Sequence, residues 1–148
     1  MITGYGVIAH QSGKINYVAS GCIKVGKLDW GQRLKQIFQD ITTIIEEYQP
    51  QQVAIEEVFV NKNPSSALKL GQARGVAIVA AACQDLPIGE YSPREIKQAV
   101  VGYGGAEKSQ VQHMICALLN LSKAPQVDAA DALAVAICHS HVSERITI

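Results

Sequence analysis

Four carboxylates in two short stretches are the residues of this chain best suited to chemistry. Glu56 and Glu57 interrupt an apolar run, Val53-Ala54-Ile55-Glu56-Glu57-Val58-Phe59. Such a run reads as a strand, on which neighbouring side chains point to opposite faces, so at most one of the two can face a given site. A carboxylate within it is expensive to bury unpaired; a solvent-facing acid near a strand end is the ordinary alternative. Asp128 and Asp131, in Val127-Asp128-Ala129-Ala130-Asp131-Ala132-Leu133, are three apart and share one face of a helix start. Hard divalent cations take oxygen ligands, which paired carboxylates supply. The ordinary alternative is an acidic first turn that complements the helix dipole at ~0.3–1 kcal/mol each. Together, a strand glutamate and a helical aspartate pair suit a two-metal site for phosphodiester hydrolysis, one cation activating water and the other steadying the leaving oxygen.

Cationic partners are available. Lys62, Lys69, Arg74, Arg94, Lys97, Lys108 and Lys123 are the basic candidates. Lys97 and Lys108 flank Gly102-Tyr103-Gly104-Gly105, a mobile connection whose backbone N–H groups are free to approach phosphates. Each is otherwise an ordinary solvated lysine. Phe59 follows Glu56 by three residues at the strand's exit, where an aromatic ring can stack on an unpaired base or simply join a core. His10, His113, His139 and His141 have no metal-ligand spacing. The glycine-rich connection is not a G-x-G-x-x-G fingerprint and follows a helix rather than a strand, which argues against a dinucleotide.

Alternating strands and helices position these groups, an α/β pattern. Thr3–Ala9, Ile15–Ser20 and Gly21–Val25 read as two or three antiparallel strands, with a turn at Gln11-Ser12-Gly13-Lys14. Leu34, Ile37, Phe38, Ile41, Ile44, Ile45 and Tyr48 form a helical stripe, with Asp29 and Gln32 as a weak capping box and Pro50 as the stop. Gln52–Val60 is the next strand. Asn63-Pro64 starts a helix to about Gln84, whose small residues include Gly71 and Gly75. Those glycines suit close packing, either on the sheet or on a second subunit. Pro87–Tyr91 is a short strand, and Ser92-Pro93-Arg94-Glu95 a capping box for a helix ending near Gly102. A further helix carries Val111, Met114, Ile115, Leu118 and Leu119, and the last runs from about Val127 to His141.

Composition narrows the class. The chain has 148 residues, 48% hydrophobic and 18% charged, one domain's worth and neither disordered nor a coiled coil. Thirteen Lys+Arg balance thirteen Asp+Glu, so a polyanion must be met by a local basic patch rather than by net charge. The longest apolar run, around Val76–Cys83, is far short of the ~20 residues that span a bilayer. The N-terminus has no secretory pattern. Cys22, Cys83, Cys116 and Cys138 are far apart and read as buried reduced thiols. A cytoplasmic protein fits.

Four stretches carry a resemblance: Ala54–Phe59, Ser66–Val76, Ala106–Gln112 and Asp128–Ala134. In order, and through essentially the whole chain, they resemble the bacterial RuvC Holliday junction resolvases. The resemblance implies an RNase H-like α/β fold, a mixed sheet flanked by helices, as a single nuclease domain over residues 1–148. It implies a homodimeric, magnesium-dependent crossover junction endodeoxyribonuclease of DNA recombination and repair. Such an enzyme nicks two opposing strands of a four-way junction and works with a branch-migration complex of junction-binding and motor subunits. Mg²⁺ is implied, two per site, with Mn²⁺ as a substitute. Carried onto this sequence, Glu56, Asp128 and Asp131 are the metal-binding catalytic acids. Phe59 is the aromatic inserted at the junction, and Lys97 and Lys108 are basic residues near the scissile DNA. Glu57 is expected to be non-catalytic, because it faces away.

One departure stands out. The family begins with a hydrophobic strand ending in an aspartate, ahead of the Thr-Gly-Tyr-Gly seen here at Thr3–Gly6, and this chain starts at Met1-Ile2-Thr3. That strand is expected to be central, between the second strand and the Glu56 strand, so its neighbours should be left with open edges. A mis-chosen start or a truncation is the expected cause. A catalytically inactive junction-binding dimer and a non-functional fragment are the alternatives to an active resolvase, with an RNA-directed RNase H-like enzyme further off.

Overall fold

Ser12 and Gly13 both have positive φ, 52° and 76°, the left-handed pair that a two-residue hairpin turn requires. They join β1 (Ile2–Gln11) to β2 (Lys14–Lys24), two long antiparallel strands with a bulge between Val7 and Ile8. A computed structural model describes residues 2–59 and 63–145 of the chain. The remaining elements are α1 (Trp30–Tyr48), β3 (Val53–Glu56), α2 (Pro64–Ala82), β4 (Ile88–Tyr91), α3 (Pro93–Val101), α4 (Lys108–Leu118) and α5 (Val127–Arg145).

Local signals set most boundaries. Asn63 caps α2 by accepting from the Ser66 N–H, with Pro64 in the first turn. Ser92 and Glu95 close a full capping box on α3, which ends on Gly102 at φ 106°. Asp29 sits at the α1 N-cap without a side-chain bond, and left-handed Gln49, one residue before Pro50, ends that helix. The strand expected over Gln52–Val60 is paired only from Val53 to Glu56, because its parallel partner β4 is four residues long. Val60 and the candidate Lys62 lie outside the described residues.

The strands form two separate pairs, β1–β2 antiparallel and β3–β4 parallel. Among the described residues no strand joins the outer edge of β1 or of β3.

Helix α5 occupies the centre, touching both strand pairs as well as α3 and α4. Leu133 and Ile137 on α5 and Ile115 on α4 are fully buried, each contributing about 1.5–3 kcal/mol of apolar burial. Tyr91, Ile96, Val100 and Val111 complete this core, and a smaller one joins Ile23, Ile37 and Ala73 from β2, α1 and α2. The contact between α5 and β1 is backbone-close. A Cβ on Gly4 would lie 1.9 Å from the Asp128 carbonyl oxygen, and one on Gly6 would lie 2.7 Å from the Leu133 side chain. Two glycines two apart on a strand share a face, and here that face receives the helix.

A polar chain fixes the other side of α5. Tyr91 Oη and His139 Nδ1 are 2.6 Å apart, as are His139 Nε2 and Gln52 Oε1. Burial lowers the His139 pKa, keeping the ring neutral, and raises that of Tyr91, keeping the phenol protonated. Because Gln52 Oε1 only accepts, Nε2 carries the imidazole proton and Nδ1 accepts the hydrogen bond donated by the tyrosine hydroxyl.

All four cysteines are free thiols, but the expectation that they are buried holds only for Cys138. Burial, reinforced by the Glu95 carboxylate, pushes its thiol up to about 11. The other three lie on element faces or ends that the folded chain leaves partly or fully open to solvent. No helix among the described residues is long and apolar enough to cross a membrane.

Candidate active site

Glu56 is the last residue of β3, paired in register with Tyr91 of β4. The strand end is clamped from α2: Arg74 Nε donates to the Glu56 carbonyl at 3.0 Å, while its Nη2 meets Glu90 Oε1 at 2.7 Å. The Glu56 side chain opens to solvent, yet protein on one side desolvates it. That desolvation raises its pKa, and the Asp131 carboxylate adds to the rise. Lys108 and Lys97 oppose it. Asp131, Lys97 and Lys108, contributed by α5, α3 and α4, therefore lie within electrostatic reach of Glu56 on β3.

Asp131 accepts from Lys108 Nζ at 3.2 Å. Lys108 is the first residue of α4, where a cation opposes the helix dipole at ~0.3–1 kcal/mol. A residue set against its local preference beside two acids marks a site built for something other than stability. Asp128, one turn back on the same face of α5, has its Oδ2 engaged by Gln126 Nε2 at 2.9 Å.

Among the described residues no three of His, Cys, Asp and Glu stand where they could hold one metal ion together. The closed cluster expected of Glu56, Asp128 and Asp131 is therefore not formed in this arrangement. Asp131 is paired with Lys108 and Asp128 with Gln126 instead. The donor set still suits a hard divalent cation, since Glu56 and Asp131 are two carboxylates whose mutual repulsion already registers on Glu56.

Phe59 is 59% exposed just past the end of β3, outside either core. Glu57 follows β3 with its N–H bonded to the Tyr91 carbonyl. Sequence reasoning did not assign the parts played here by Gln126, Gly4, Gly6 and Arg74. Gln126 is a polar residue just before an acidic helix start. Gly4 and Gly6 are alternate glycines in a strand, a signal of close backbone approach. Arg74 was legible only as one basic residue among several.

The Glu56 shift has a consequence for metal-free protein. Below the ordinary carboxylate value near 4.5 both folded and unfolded chains are protonated at this residue, and it contributes nothing. As pH rises the unfolded chain ionises first, so the folded state loses stability until pH passes the raised folded value. Glu56→Gln is therefore expected to raise the melting temperature in EDTA at neutral pH. The gain should vanish as pH falls below the ordinary carboxylate range, as measured by calorimetry across pH.

A sequence model of the family "Crossover junction endodeoxyribonuclease RuvC" matches residues 1–139. The chain belongs to the RuvC family. A RuvC from Idiomarina loihiensis is 58% identical over 98% of this chain and 84% of that protein. One from Pseudoalteromonas translucida is 59% identical over 98% and 83%. Among solved structures, Thermus thermophilus RuvC superposes with a TM-score of 0.86 at 29% identity, covering 98% of this chain and 96% of that one. T. thermophilus RuvC in complex with Holliday junction substrate gives 0.89 at 28% identity, with the same coverage. The fold is accordingly the RNase H-like fold of RuvC.

Proposed function

We propose that this RuvC-family chain is a structure-selective endonuclease that resolves four-way DNA junctions by metal-dependent phosphodiester hydrolysis in recombination and repair. Family membership over nearly the whole chain carries the reaction class. The convergence of Glu56 and Asp131 with two lysines carries the site.

Glu56, Asp131 and Asp128 are the carboxylates that hold the metal, for which we propose Mg²⁺, two ions per site, with Mn²⁺ able to replace it. Bound there, the cations supply an activated water and stabilise the charge on the leaving oxygen. Lys108 and Lys97 neutralise phosphate oxygens beside the scissile bond, a role a point-charge ammonium fills well. With a cation held by Asp131, Lys108, now paired with that carboxylate at 3.2 Å, would be available to a phosphate oxygen. Phe59, exposed at the strand exit, stacks on a base unpaired at the crossover. The branch-migration complex and a cytoplasmic setting follow as parts of the same proposal.

Cutting two opposing strands calls for two sites, and α2 supports a homodimer. Leu68, Gly71, Gly75 and Val79 fall along one face of that helix. Leu68 and Val79 are 67% and 52% exposed, and a Cβ added at either glycine would meet nothing within 4 Å. Glycine on an open helix face is poor for the isolated helix and suits close approach by a second copy. Val79→Glu is expected to weaken dimerisation by about a hundredfold or more, following the ~3 kcal/mol cost of an unpaired buried charge. Sedimentation velocity measures this, and an unchanged dimer would discard this face.

The function itself is tested with a synthetic four-way junction. The expected result is paired nicks in opposing strands with Mg²⁺, and none with EDTA or with a linear duplex. Junction binding without cutting in both Mg²⁺ and EDTA would replace this reading with the non-catalytic junction-binding dimer.

A further inference from the structure

Gln126 lies immediately before α5 and does two things with one amide. Its Oε1 accepts from the backbone N–H of Asp128 at 2.7 Å and of Ala129 at 3.3 Å, and its carbonyl accepts from the Ala130 N–H at 2.9 Å. It is thus the N-cap of the helix that carries both aspartates. The Cys22 thiol on β2 donates to the same Oε1 at 2.8 Å. These donors fix which end of the amide is oxygen, so the group facing the Asp128 carboxylate must be the NH₂, and Nε2 donates to Asp128 Oδ2 at 2.9 Å. For capping alone, Ser, Thr, Asn or Asp is preferred. Glutamine's extra length lets the same amide also reach the Asp128 carboxylate and the Cys22 thiol.

We infer that Gln126 is a positioning residue for Asp128, holding the carboxylate by one oxygen and leaving the other to a cation. The inference deepens the proposed function and rests on Asp128 being a metal ligand. A partner of this kind restricts the ligand's rotation before the cation arrives, and removing such partners typically costs 10–100-fold in metal affinity.

The test separates the cap from the donor. Gln126→Ser keeps a side-chain cap but cannot reach the carboxylate, whereas Gln126→Ala loses both. Binding is read by titrating Mn²⁺ and following the free ion by electron paramagnetic resonance, with thermal unfolding alongside. Gln126→Ser is expected to weaken Mn²⁺ binding about tenfold with no fall in melting temperature. Gln126→Ala is expected to weaken it equally and to melt about 2–4 °C lower. If Gln126→Ser binds Mn²⁺ like the unaltered protein, Gln126 is only a helix cap and the inference is overturned. If the unaltered protein takes up no Mn²⁺, the metal-ligand reading of Asp128 fails first and the inference falls with it.

Discussion

Asp131→Asn is expected to fold normally and to cleave four-way junctions at least about 10³-fold more slowly in single turnover. On the proposed role of Asp131 as a metal ligand, the substitution removes a charged donor from the cation and takes with it several kcal/mol of transition-state stabilisation. Little else changes. The Lys108–Asp131 pair is solvent-exposed, with side chains 59% and 41% accessible, and exposed pairs contribute only ~0.2–1 kcal/mol. The melting temperature should therefore stay within about 2–4 °C of the parent. Junction affinity in EDTA should hold or rise, because a negative charge has been taken from beside the phosphates. A variant that cleaves at the parent rate would remove Asp131 from the chemistry, leaving it as the structural partner of Lys108.

The second large effect lies at a residue with no side chain. Gly4→Ala puts a methyl group 1.9 Å from the Asp128 carbonyl oxygen and 2.2 Å from its carbon. Both are backbone atoms, and no rotamer change relieves the clash. Overpacking of this kind costs about 1–3 kcal/mol and occasionally more, or roughly 2–12 °C in a domain of this size. What yields must be β1 or the first turn of α5, and that turn carries Asp128. Gly4→Ala is thus expected to lower thermal stability and, below its melting temperature, to slow cleavage as well. Gly31→Ala in α1 is the control: nothing lies within 4 Å of its added methyl, and alanine gains up to about 1 kcal/mol over glycine in a helix. Equal melting curves for the two variants would mean that α5 is not held against β1 as closely as described.

These residues show how far the sequence could be read. Periodicity revealed α1 through its stripe from Leu34 to Tyr48. Side-chain chemistry marked the starts of α2 and α3 at Asn63-Pro64 and Ser92-Glu95, because capping is decided within four residues. The paired length of the Glu56 strand was not legible in that way, since a partner distant in the chain sets it. At the site, residue types and spacing singled out Glu56, Asp128 and Asp131 together with Lys97 and Lys108. They could not show that Asp131 would lie beside Lys108 while Asp128 turns to Gln126. That division depends on how α4 and α5 meet, and α5 is seated by two glycines some 120 residues away. Gly4 and Gly6 look like loosening residues in a strand until the helix backbone is laid across them.

The split of the strands into two pairs bears on how the protein behaves in solution. β1 is ten residues long, and its sequence, Ile-Thr-Gly-Tyr-Gly-Val-Ile-Ala-His-Gln, has no lysine, arginine, aspartate, glutamate or proline. Natural sheets guard a bare margin with such residues. Among the described residues β1 is paired on one side only, and such a margin is a template on which another molecule's hairpin can grow. Concentrated samples are therefore expected to lose material to cross-β association through β1, while the four-residue β3, ending on the charge of Glu56, resists the same fate.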